Sequence, residues 1–157
     1  MTVLSAQTIR RLRLVEPMVE RQQHEESGCS FGLSACGYDV RLDQEITLWP
    51  ASFWLASTLE QFRMHDDVVG IVHDKSTWAR RGIAVQNTVI EPGWRGYLTL
   101  EITNHGSEVI RLLAGTPIAQ IIFHRLDEPT EMPYPETGKY QNQERGAQPA
   151  RDGRGHG

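Results

Sequence analysis

Short β-forming runs that alternate with glycine- and proline-bearing breaks restrict the fold of this chain more than any other feature. Runs of branched, aliphatic and aromatic residues occupy 38–42, 45–49, 53–57, 68–73, 97–104, 109–113 and 118–125. That many short strands with turn residues between them predict a mainly β architecture, a compact barrel or sandwich. One short peripheral helix is expected near the start, capped by Ser5, running through Ile9, Leu12 and Leu14 and ending before Pro17. Residues 22–30 are polar and contain glycine, which reads as a surface loop. No repeat or heptad pattern interrupts this arrangement.

A chain of 157 residues is the size of one domain and can bury a core without disulfide or metal staples. Residues 1–157 are therefore read as a single domain. From Pro129 onward the chain is rich in proline, glycine and polar residues, which cannot build a core, so 129–157 is read as a flexible tail. Within it, Gly138, Lys139, Tyr140, Gln141, Asn142 and Gln143 supply donors and an aromatic ring that suit a flap closing over a ligand. No apolar run approaches the roughly 20 residues of a membrane span, and the first residues lack the pattern of a secretory signal, so a cytoplasmic location is expected.

Cys29 and Cys36 are too few for a disulfide framework and are not spaced like a zinc pair. The formal charge of −4 provides no general basic field, which argues against nucleic acid as a partner and requires any anionic ligand to meet a local cluster. Lysine occurs only at Lys75 and Lys139, and both fall in segments that suit phosphate.

The segment 74–104 carries the chemistry. In Asp74-Lys75-Ser76-Thr77-Trp78-Ala79-Arg80-Arg81-Gly82 a hydroxyl is expected to start a short helical turn and Gly82 to end it in a left-handed cap. Unsatisfied backbone N–H groups at such a start favour an anion, Lys75 would add a mobile cation, and Ser76 and Arg80 share a face four residues apart. In the strand 97–104, alternation sets Leu98, Leu100 and Ile102 on one face and Tyr97, Thr99, Glu101 and Thr103 on the other. Facing solvent, Glu101 would only solubilise; lining a cleft, it would be an isolated general base. Between the two segments, the loop from Thr88 through Ile90, Glu91 and the Pro92-Gly93 turn to Trp94 could read a base edge through its amides. Trp94 would either pack on a sugar or plug the rim of the barrel.

Taken together, Lys75-Ser76-Thr77-Trp78-Ala79-Arg80, Glu91-Pro92-Gly93-Trp94, Leu98-Thr99-Leu100-Glu101, Pro117-Ile118-Ala119-Gln120 and Gly138-Lys139-Tyr140-Gln141-Asn142-Gln143 resemble, in order, the motifs of the dCTP deaminase family in the dUTPase-like superfamily. The resemblance runs from about Gly37, in GYDVRL, to about Arg151. It implies a distorted β-barrel of the dUTPase-like jelly-roll kind, assembled as a homotrimer with each active site between neighbouring subunits. The implied ligands are dCTP or a 5-substituted dCTP with Mg2+ carried on the triphosphate and no zinc, with dUTP or dTTP as product or inhibitor.

By the same resemblance Glu101 is the catalytic base and Ser76 and Arg80 position the water and the carboxylate. Lys75 through Arg80 (Lys75, Ser76, Thr77, Trp78, Ala79, Arg80) would contact the phosphates. Glu91 would hold the nucleoside, Thr99, Leu100 and Glu101 would line the base pocket, and Gln120, Tyr134, Lys139 and Gln143 would hold the triphosphate. The chain departs from the family in being shorter between Leu42 and Phe53, and in carrying Lys75 and Thr77 where many relatives have Arg and Ser. Lysine keeps the charge and loses the bidentate geometry of arginine. A zinc route is disfavoured because His24-Glu25-Glu26 is followed by no P-C-x-x-C pair. A bifunctional deaminase and pyrophosphatase, a plain dUTPase and a non-catalytic nucleotide sensor are the competing readings.

Overall fold

The computed structural model describes residues 2–152. Thirteen strands and two short helices follow one another as β1 Thr2–Val3, α1 Ala6–Leu12, β2 Val15–Glu16, β3 Gln22–Gln23, β4 Ser30–Leu33, β5 Gly37–Arg41, β6 Ile46–Leu48 and β7 Phe53–Arg63. They continue as β8 Val68–Asp74, α2 Ser76–Ala79, β9 Ile83–Val85, β10 Val89–Ile90, β11 Arg95–Asn104, β12 Ile110–Leu112 and β13 Pro117–Arg125. All seven expected runs are strands, with ends shifted by a residue or two except in β7, which continues six residues past Ser57. The extension hid in the sequence because Thr58, Glu60 and Gln61 look like a break. In the fold Glu60 is fully buried and held by Arg41, whose backbone N–H and Nε donate to its two oxygens at 2.9 and 2.8 Å.

One sheet has the order β10-β8-β13-β5-β4-β3, with β1 added to β13; a second has the order β2-β7-β11-β9, and β12 pairs with β6. Apolar residues of both main sheets merge into one core, where Phe62 of β7 meets Phe123 of β13 with ring centroids 6.5 Å apart. The strand β11 shows why the fold is specified. Every second residue from Gly96 to Asn104 is buried and the intervening ones are half-buried, so slipping the register by one residue would turn the apolar set outward.

Three local expectations change. The first helix stops at Leu12, where Arg13 takes a left-handed conformation, and Leu14 is buried from an extended segment instead of a helical turn. Ser5 does stand at the cap, yet its side chain makes no capping bond. The polar stretch 22–30 is a hairpin of β3 and β4, not a plain loop, closed by a turn in which His24 Nδ1 and Ser27 Oγ lie 2.9 Å apart. Among the described residues no helix is long and apolar enough to cross a membrane.

Candidate active site

Glu101 sits on β11, which is hydrogen-bonded to β7 on one side and β9 on the other, so its backbone is fixed from both edges. Its cross-strand partner on β7 is Leu55, with Phe53 two pairs further along, opposite Thr103. The side chains of directly paired residues approach each other closely, which gives the carboxylate an apolar neighbour. Glu101 faces a mostly apolar cavity of about 480 Å³ walled by β7, β10, β11 and the C-terminal segment. Burial pushes the Glu101 carboxyl above the usual carboxylate range, and its Oε2 is shielded without a hydrogen-bond partner. A buried, unpartnered acid oxygen beside a cavity is costly for a fold and suited to taking a proton.

The structure brings Thr88, Ile90, Glu91, Trp94, Thr99, Tyr134 and Gln143 to the walls of this cavity with Glu101. Trp94 is buried, tilted against Phe62, and its indole N–H donates to the Tyr140 carbonyl at 2.7 Å. Leu100, by contrast, is fully buried on the core face of β11, so only its backbone is left to meet a base. Gln143 is nine-tenths enclosed, and its amide nitrogen donates to the Tyr97 carbonyl and the Thr99 hydroxyl, both at 2.8 Å. Both N–H bonds are thus committed in this state, which leaves Gln143 an acceptor and not a phosphate donor.

The cationic turn lies apart from that cavity in the single chain. Lys75, Ser76 and Thr77 line a second cavity, about 580 Å³ in size, together with Arg21 and the β3–β4 hairpin. The cap of α2 is Lys75, and no Ser or Thr side chain closes it; Ser76 is the first helical residue. Lys75 is not mobile either, because its Nζ is 2.9 Å from the buried Asp39 carboxylate. Gly82 ends the turn with φ +84°, and a Cβ there would lie 2.5 Å from the Gly106 nitrogen, so the glycine is needed twice over. The Trp78 side chain is buried and donates its indole N–H to Pro117 O at 2.6 Å, while Ser76, Ala79 and Arg80 are exposed.

Gln120 belongs to this second region, paired in register with Asp39 and donating to Ser34 Oγ at 3.1 Å. Lys139 is exposed over the Tyr140 ring and lines neither cavity. Phe53, Leu55 and residues 148–150 line the Glu101 cavity without having stood out in the sequence, and Tyr140, the aromatic ring of the expected flap, lines it with them. The alternation of 53, 55 and 57 was visible, but its register against β11 is set by a connection of more than thirty residues. Among the described residues no three His, Cys, Asp or Glu side chains gather to hold a metal, and Cys29 and Cys36 are unpaired thiols, one buried and one exposed.

The architecture is that of the dUTPase-like folds. A native EIAV dUTPase overlays with a TM-score of 0.58 at 20% identity, covering 79% of this chain and 97% of the other. A 2'-deoxycytidine 5'-triphosphate deaminase from Agrobacterium tumefaciens overlays with a TM-score of 0.64 at 16% identity, covering 80% of this chain and 49% of the other. At the sequence level a family model described as dCTP deaminase-like matches residues 6–126. The dCTP deaminase of Azotobacter vinelandii is 36% identical over 91% of this chain and 96% of its own length. That of Acidobacterium capsulatum is 37% identical over 83% and 87%. The chain belongs to the dCTP deaminase family of enzymes.

Proposed function

We propose that this protein hydrolyses the exocyclic amine of dCTP, or of a 5-substituted dCTP, to give the corresponding dUTP and ammonia, with Glu101 as the general base. The observation that carries the reading is the Glu101 carboxyl, raised by burial and unpartnered at Oε2 in a mostly apolar cavity, in a chain of this family. Deamination must deliver hydroxide to C4, a proton to N3 and a proton to the departing amine. One carboxylate performs these in sequence: it takes a proton from water, passes it to N3, then relays the second proton from the tetrahedral centre to the nitrogen as the C4–N bond breaks. Such general acid–base catalysis contributes roughly 10²–10⁴-fold. The triphosphate, gripped away from the ring, supplies orientation.

Ser76 and Arg80 complete the site from a neighbouring subunit. The reading is supported by the placement of Ser76 beside a different cavity from Glu101 within one chain, with Arg80 exposed on the same turn, which a closed homotrimer of shared interfaces would reconcile. Magnesium would come with the nucleotide, as a hard cation that favours oxygen ligands such as phosphates, and would offset the triphosphate charge. Zinc plays no part: a zinc-selective chelator is expected to leave turnover unchanged, whereas removing magnesium with EDTA lowers it.

The deciding experiment offers dCTP, 5-methyl-dCTP and dUTP separately and reads ammonia, pyrophosphate and nucleotide products by mass. Ammonia from a cytosine nucleotide with the triphosphate intact is the expected result. Pyrophosphate from dUTP without ammonia from dCTP would make the protein a dUTPase, both products a bifunctional enzyme, and binding without product a sensor.

A further inference from the structure

Ser57 and Thr99 are direct cross-strand partners on β7 and β11, so their hydroxyls stand side by side on the face that carries Glu101 two residues further along. The pairing is aimed by an irregularity: Thr99 pairs with Ser57 and Tyr97 with Gln61, so two steps on β11 match four on β7. Thr58 holds this bulge, donating to the Glu60 carbonyl at 2.7 Å and accepting the Leu98 N–H at 3.1 Å. Bulges recur beside active sites because they redirect side chains.

Both hydroxyls accept from the C-terminal segment of the same chain. The Gly146 N–H donates to Ser57 Oγ at 3.1 Å, and the Gln148 N–H and the Gln143 side-chain amide donate to Thr99 Oγ1 at 3.1 and 2.8 Å. Arg145 lies over the Tyr97 ring at 4.9 Å between these points. Immediately beyond, Gln148, Pro149 and Ala150 line the Glu101 cavity. A segment of proline, glycine and polar residues buries too little apolar surface to hold itself down, so directed hydrogen bonds must do so.

We propose that Ser57 and Thr99 are positioning residues: their paired hydroxyls clasp residues 143–148 in cis, hold the tail over the Glu101 cavity, and turn Gln143, which lines it, into an acceptor. The kinetic arm of the test rests on the deaminase reading; the structural arm does not. Ser57 itself does not line the cavity, so its effects act through the tail.

Hydrogen–deuterium exchange on the full nucleotide-free chain tests the clasp. The Gly146 amide in Ser57→Ala and the Gln148 amide in Thr99→Val should exchange about fivefold faster than in the wild type, the factor given by a net hydrogen-bond contribution of about 1 kcal/mol. The Ile121 amide in the core stays unchanged as the measure of an intact fold, and Thr99→Ser restores protection at Gln148. With dCTP, Ser57→Ala should raise KM about fivefold and change kcat less than twofold, the mark of lost uniform binding. Equal exchange of both amides in wild type and variants overturns the clasp, and lost protection with an unaltered KM overturns its positioning role. Should the wild type release no ammonia, the deaminase reading falls while exchange alone still decides the clasp.

Discussion

At the residue scale the site depends on one acid made uncomfortable by its surroundings. Burial raises the folded-state pKa of Glu101 above the ordinary value of 4.5, so the folded state prefers the protonated form. That preference favours folding fully below the ordinary value and is lost as pH rises through the raised one, so ionised Glu101 opposes folding at neutral pH. Glu101→Gln should therefore melt higher than wild type at pH 7, with the gap closing in acid, as calorimetry across pH would read. The same variant should bind dCTP and lose at least about 100-fold in turnover; substantial ammonia release by it would remove Glu101 from its role. Wild-type kcat/KM should fall on the acid side through a pKa above the usual glutamate range, because the base must be ionised. The pair Arg41–Glu60 is the structural counterpart: Arg41→Ala leaves a fully enclosed carboxyl without its counter-ion. A loss of about 3 kcal/mol is expected by denaturant titration.

At the element scale, β11 joins the two halves of the argument, since its inner face is core and its outer face carries Thr99 and Glu101. Its alternation was fully legible, as were all seven expected strands, because a period of two is a local signal. Partners were not legible. Leu55 opposite Glu101, the bulge at 57–61 and the ion pair that immobilises Lys75 all depend on register across long connections, which no local pattern encodes. The tail's composition suggested a flexible flap; its route across β11 is made possible by Gly96, at φ +144° and bridged to Gln143. A Cβ on Gly96 would come within 2.6 Å of the Gln143 nitrogen. Gly96→Ala should therefore lift residues 141–150, which limited proteolysis detects as faster cleavage in that segment with the barrel left intact.

At the scale of the whole molecule, motif order identified the family while the single chain divides its expected residues between two cavities. Glu101, Thr99 and Gln143 are gathered at one; Lys75, Ser76 and Thr77 at another. If neighbouring subunits unite them, two inactive variants should complement each other. Co-refolding equal amounts of Glu101→Gln and Arg80→Ala chains should restore about a quarter of the sites by random assortment in a closed trimer. Activity no greater than that of the separate variants would mean that each chain works alone. Sequence could not decide this point, because which surfaces meet is a property of shape.

The bond from the Trp94 indole to the Tyr140 carbonyl gives the molecule an optical gauge of its own. With Trp49, Trp54 and Trp78 replaced by phenylalanine, emission from the remaining ring would redden whenever the overlying peptide departs and water reaches the indole. Opening and closing could then be timed in a stopped-flow instrument with no attached dye.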